Sequence, residues 1–167
     1  MPFIKPIYLL LACFLLLPSF SSAGSLGNWQ VVKDYDVLTG SRGCLIESME
    51  KQTHDGHGMT GIKLLYNGRV FIADTDSNID MNYPNLGLSV DNGVDLSIDE
   101  IKKEKVAVFS EQAEKIKKLF IKGNRVTLTL GFWPTWPKTQ AVTTEFSLIG
   151  FTKTYQEFLH CQQAFQG

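Results

Sequence analysis

A cross-link between distant parts of the chain is the strongest constraint this sequence places on its own fold. The 167 residues hold three cysteines, at positions 13, 44 and 161. Cys13 falls in a segment laid out as a secretory leader. Lys5 gives a lone positive charge, Ile7 to Leu17 is an uncharged apolar run of 11 residues, and Pro18 breaks it. Ser21-Ser22-Ala23 then offers small residues where a signal peptidase cuts, so residues 1–23 read as a signal peptide cleaved near Ala23. The run is too short to cross a bilayer, which takes about 20 residues. Leu10-Leu11-Ala12-Cys13 is a loose lipoprotein box, but four more apolar residues follow the cysteine. Cleavage after Ala23 leaves Cys44 and Cys161 in an oxidising compartment, where an even count favours one disulfide over two buried thiols. On a chain-entropy treatment, closing so long a loop stabilises by about 4–5 kcal/mol.

Composition bounds the class. The chain is 44% hydrophobic and 20% charged with a formal net charge of −1, which excludes a disordered polyanion and a strongly basic nucleic-acid binder. Residues 24–167 are expected to form a single β-rich globular domain with no transmembrane segment.

The patterning predicts a mainly β fold, an antiparallel sheet or sandwich, with two α-helices, the second at the C-terminus. Strands are expected at 28–33, 42–49, 62–66, 69–73, 86–90, 125–131 and 141–149, with a further extended piece through Ile98. Asn67-Gly68 suits a two-residue type I′ hairpin turn, and 50–61 reads as a loop rich in glycine and histidine. Ser110 can cap a first helix whose stripe is Ala113, Ile116, Leu119 and Phe120, ended by Gly123. A second helix over 151–163 presents Phe151, Tyr155, Phe158 and Leu159 inward.

Four constellations bear on function. Asp74, Asp76, Asn78 and Asp80 alternate as calcium ligands do, yet the sixth place of the loop is Ile79 and the twelfth Asn85, where an EF-hand needs glycine and glutamate. The competing reading is the solvated face of a strand, with Ile79 and Met81 turned inward. His54 and His57 fall short of the three or four ligands that zinc takes. Lys115, Lys118 and Lys122 lie opposite the apolar stripe of the first helix and read as its wet face, with Glu111 and Glu114 pairing to Lys115 and Lys118. Phe132-Trp133-Pro134-Thr135-Trp136-Pro137 is the most unusual hexapeptide. Its prolines stiffen a connection from which Trp133 and Trp136, with Pro134 and Pro137, could contact a protein partner, or else fold back over the core. Gly-x-Ser-x-Gly, a phosphate-cradling glycine loop and His-Glu-x-x-His do not occur, so no enzyme and no cofactor is expected.

Several stretches together resemble the invasion-associated locus B family of exported bacterial proteins. They are Trp29-Gln30-Val31, Cys44-Leu45-Ile46 and Leu96-Ser97-Ile98-Asp99, then Phe120-Ile121-Lys122-Gly123-Asn124 with Val126, and Phe146-Ser147-Leu148-Ile149-Gly150-Phe151. The chain departs from the family's pattern near Val106 to Ser110, which lacks a Gly-Cys pair, and in its Trp-Pro hexapeptide. The resemblance implies a small β-rich periplasmic or secreted protein, associated with host-cell invasion and without catalytic residues. The expected function is protein binding. The alternatives are a structural subunit of an envelope or secretion assembly, and a calcium-binding module.

Overall fold

Apolar and polar residues alternate over short segments along most of this chain, and such segments bury one face only by pairing side by side. A computed structural model describes residues 27–36, 38–134 and 140–165. The leader, and with it the cleavage near Ala23, lies outside them, as do Trp136 and Pro137. The elements are β1 (Trp29–Tyr35), β2 (Arg42–Ser48), β3 (Lys51–His54), β4 (Met59–Tyr66), β5 (Phe71–Thr75), β6 (Gly87–Val90), β7 (Leu96–Ser97), β8 (Glu100–Lys102), β9 (Val106–Phe109), α1 (Ala113–Lys122), β10 (Arg125–Leu130), β11 (Val142–Ser147) and α2 (Phe151–Phe165). The protein is thus mainly antiparallel β with two helices, the second at the C-terminus, as the patterning predicts.

The larger sheet runs β1-β2-β4-β5-β9-β8, with β3 also paired to β4, and the smaller runs β11-β10-β6-β7. Their facing sides and both helices share one core. Its centre is aromatic: Trp29 meets the edge of Phe151 at 5.0 Å, and Phe71 lies 4.9 Å from Phe120. The Trp29 indole N–H also donates to the Ser147 carbonyl at 2.7 Å, which joins the two sheets through a polar bond inside an apolar region. The opposite face of the larger sheet buries a second apolar set, Leu45, Leu65, Ile72, Val106 and Val108. Cys44 of β2 is disulfide-bonded to Cys161 of α2 across a sequence separation of 117.

The structure corrects the local expectations in four places. The expected loop at 50–61 is largely the β3–β4 hairpin, registered Lys51↔Ile62 to His54↔Met59. Its first strand is polar and mostly exposed, so no apolar alternation announces it.

The Asn67-Gly68 turn is wider than a two-residue connection, because β4 stops at Tyr66 and pairs it with Phe71. The Asn67 side-chain oxygen accepts from the Arg69 and Val70 N–H groups, both at 2.9 Å, and so takes backbone donors from the ladder. Gly68 has φ +95, a backbone conformation that residues other than glycine rarely adopt.

Strands β8 and β9 answer to no expectation. Val106–Phe109 is buried at every position, which erases the period of two. Its turn uses Lys103 and Glu104 at φ 49 and 62, without glycine or asparagine to mark it.

Finally, Ser110 does not cap α1. Gln112 stands at that position without a side-chain bond, and Ser110 is instead held by the Asp99 carboxylate. Partial burial pushes the Asp99 carboxyl up, but N–H bonds from Glu111 and Ser110 and the Ser110 hydroxyl hold it below its ordinary range.

Candidate functional site

The Trp-Pro connection begins where β10 runs out. Phe132 forms an antiparallel bridge with Ile79. On either side, the Trp133 N–H donates to the Asn78 carbonyl and the Asp80 N–H to the Gly131 carbonyl, both at 2.9 Å. Successive residues of extended chain point to opposite faces. Phe132 is accordingly 1% exposed and Trp133 is 62% exposed. Gly131 permits this path, because a Cβ there would fall 2.0 Å from the Tyr83 ring, which lies directly against the backbone. Asn78 is held in turn by Glu104: its amide donates to the Glu104 carboxylate at 2.9 Å, and the Ile79 N–H donates to the Glu104 carbonyl at 2.7 Å. The result is one indole, with its N–H donor, standing out from a main-chain frame. Pro134 follows it half-buried.

The acidic run is not one strand face. Only Asp74 and Thr75 belong to β5, and the chain then bends away, so the period of two lapses. Ile79 is inside as expected, but Met81 is 47% exposed and Asp80 only 7%. The four candidate calcium ligands go to separate tasks. Burial, and after it the neighbouring Asp76 charge, raises the Asp74 carboxyl. Asp76 accepts from the Gly61 N–H at 3.1 Å, and Asn78 binds Glu104. Asp80 accepts from the Asn82 N–H and amide through one oxygen, while its other, buried oxygen has no hydrogen-bond partner. Among the described residues no group of three or more His, Cys, Asp or Glu side chains is arranged to hold a metal ion.

His54 and His57 flank the β3–β4 turn, which Asp55 organises. One oxygen of Asp55 accepts from the His57 and Gly58 N–H groups at 2.8 Å, and the other from the Ser77 hydroxyl at 2.6 Å. The Ser77 bond first, and the two backbone bonds after it, lower the Asp55 pKa to about 2. On α1, Lys115, Lys118 and Lys122 are exposed as expected. The acid–base pair is Glu114–Lys117 at 2.6 Å, in place of the expected pairing to Lys118, and Lys117 reaches within 6.0 Å of the Tyr155 ring.

A second locus surrounds the disulfide, where the sequence marks the Asn67-Gly68 turn but no candidate binding residue. The buried Asp36 carboxylate accepts from the Leu38 and Thr39 N–H groups and from the Asn67 amide, binding the β1–β2 turn to the β4–β5 turn. Gln162, next to Cys161, reaches the Asn67 carbonyl at 3.5 Å. The turn residues Thr39-Gly40-Ser41 were the available signal for one wall.

No protein-family model, no curated protein and no solved structure matches this chain. Among the described residues, no helix is long and apolar enough to cross a membrane.

Proposed function

We propose that this chain is exported, oxidised in the periplasm or outside the cell, and acts without catalysis by binding a protein partner through the turn that carries Trp133. The observation behind this reading is the contrast at one dipeptide. Phe132 anchors the main chain in the core while Trp133 stands in solvent on a backbone fixed by Asn78 and Asp80. An indole held in place before contact loses little conformational freedom on binding, which is why tryptophan is a frequent energetic centre of interfaces. Pro134 extends that surface, and Trp136 and Pro137 continue it in sequence. The Cys44–Cys161 bond supports export, since structural disulfides persist in oxidising compartments. The resemblance to invasion-associated locus B proteins points the same way, toward an envelope or secreted protein that meets a host or envelope partner.

The test compares wild type, Trp133→Ala and, as a control, Lys118→Ala as baits against envelope and host-membrane fractions. The reading expects at least one partner retained by wild type and the control, with affinity about 30-fold weaker for Trp133→Ala, the loss typical of an interface hot spot. Identical capture by all three folded proteins removes Trp133 from the account.

A further inference from the structure

Strands β2, β4, β5 and β9 of the larger sheet are buried on both faces. Their inward residues, Ile46, Leu64, Ala73 and Ala107 among them, pack with both helices and the smaller sheet. Their outward residues Leu45, Leu65, Ile72, Val106 and Val108 form the second apolar set, none of it more than 7% exposed. A sheet excludes water from both sides only where each side has a layer over it.

The described residues supply that layer on one side alone. Both helices and the smaller sheet belong to the inner core, and the apolar side chains packed against the outer set, Val32, Leu38 and Val70, come from β1 and from turns of the same sheet. Glu47, Lys63 and Asp74 continue the outer face along β2, β4 and β5 and border the apolar band with charge, Lys63 bonding Glu47 at 2.9 Å.

The band has the size of one segment of chain. Leu65 is registered with Ile72 and Ile72 with Val108, so the set lies across neighbouring strands. From β2 to β9 the sheet order gives three strand spacings, about 14 Å. Two stretches longer than two residues lie outside the described ones, 1–26 and 135–139. The second has five residues, of which Thr135, Lys138 and Thr139 are polar. The first holds Ile7 to Leu17, 11 uncharged residues that reach about 16 Å even at helical rise. It precedes β1, the neighbour of β2, and residues 18–26 extend to about 30 Å, enough to return the run over the sheet. Run and face share one need, since aliphatic surface left in water is unfavourable in both.

We propose that the run Ile7 to Leu17 covers the outer face of the larger sheet for as long as the leader is attached. Cleavage near Ala23 then takes the cover away, so processing changes the surface that the protein presents. Nothing in this depends on Trp133, which stands beside the Phe132–Ile79 bridge.

Cys13 lies within the run and is the one cysteine outside the Cys44–Cys161 bond, so its thiol reports on the cover. In the oxidised full chain, iodoacetamide should alkylate Cys13 about tenfold or more slowly than in guanidinium, as for a group reached only by local opening. The ratio should hold on dilution, because the cover belongs to the same chain. Leu10→Asp leaves every residue of the sheet in place. It should restore the unfolded rate of alkylation and raise the fluorescence of an apolar dye, while the far-ultraviolet spectrum keeps its β signal. Leu65→Asp, on the face itself, should free Cys13 in the same way, and the leader variant decides the matter if this one does not fold. Reaction of wild-type Cys13 at the unfolded rate overturns the proposal. So does protection that falls on dilution, which would make a second copy the cover, and so does a Leu10→Asp chain whose Cys13 stays protected.

Discussion

Two regions of this protein, the groove beside the disulfide and the turn that carries Trp133, are fixed by different parts of the chain. At the groove, side chains do the fixing: a disulfide, the Asp36 carboxylate, and the amides of Asn67 and Gln162. At the Trp133 turn the main chain does it, through bonds flanking the Phe132–Ile79 bridge, with one buried ring beneath. A joint made of side chains can be opened by reductant or by changing a single functional group. A joint made of backbone bonds yields only when its buried anchor is removed. The two surfaces should therefore respond independently to perturbation, and amide hydrogen exchange can follow each.

The largest effect should come from Cys161→Ser. Without the cross-link the unfolded chain regains the freedom of a very long loop, and stability should fall by about 4–5 kcal/mol in guanidinium titrations. Exchange at Arg69 and Val70 should quicken while that at Asp80 and Trp133 stays near wild type; equal quickening would erase the distinction. Phe132→Ala should be the mirror image. Removing a fully buried ring costs about 3–4 kcal/mol, and here exchange should quicken at Asp80 and Trp133 and leave Arg69 and Val70 alone.

Which parts of this were legible beforehand follows the same division. The disulfide, both helices and most strands follow from cysteine parity and from apolar period, signals that survive in a single sequence. Strand β9 was hidden because burial on both faces removes the alternation, and β3 because it is polar throughout. Asp99 could not be recognised as the anchor of Ser110, since that bond joins residues 11 positions apart. Residue type alone left Trp133 open between an exposed position and a place over the core, and its 62% exposure, like the inward turn of Asp80 and the exposure of Met81, depends on how the chain runs beyond its strands. The groove was not visible. Arg42, Gly43, Arg69 and Gln162 are scattered in sequence and ordinary one by one, and only the β1–β2, β4–β5 and α2 arrangement brings them to one opening.

Smaller perturbations sharpen the contrast. Asp36→Ala removes the acceptor for three hydrogen bonds at the groove and should cost about 1–3 kcal/mol, as expected for leaving partly buried donors unpaired. It should leave Trp133-dependent capture unaltered. The β3–β4 turn is fixed in the same side-chain manner, so it should open with acid. The Asp55 pKa is about 2 against an ordinary 3.8, so its ionised form stabilises the folded state above the ordinary value, and that contribution disappears as pH falls through about 2. Asp55→Asn should flatten the part of the acid-unfolding curve between those two values, with an effect below that of Asp36→Ala. An unchanged acid limb would mean that this turn does not depend on its carboxylate.

Trp133→Ala should change stability least. At 62% exposure the indole gives up little apolar contact, and the bonds that hold its backbone involve no atom of its side chain. Stability should stay within about 0.5 kcal/mol of wild type, the usual range for surface substitutions. Exchange at Asp80 should also be unaltered, because its partner is the Gly131 carbonyl. Against that flat background a loss of partner capture would be an effect on the surface alone. A drop in stability comparable to Phe132→Ala would instead show the indole packed as a core residue, and the exposed half of the dipeptide contrast would be gone.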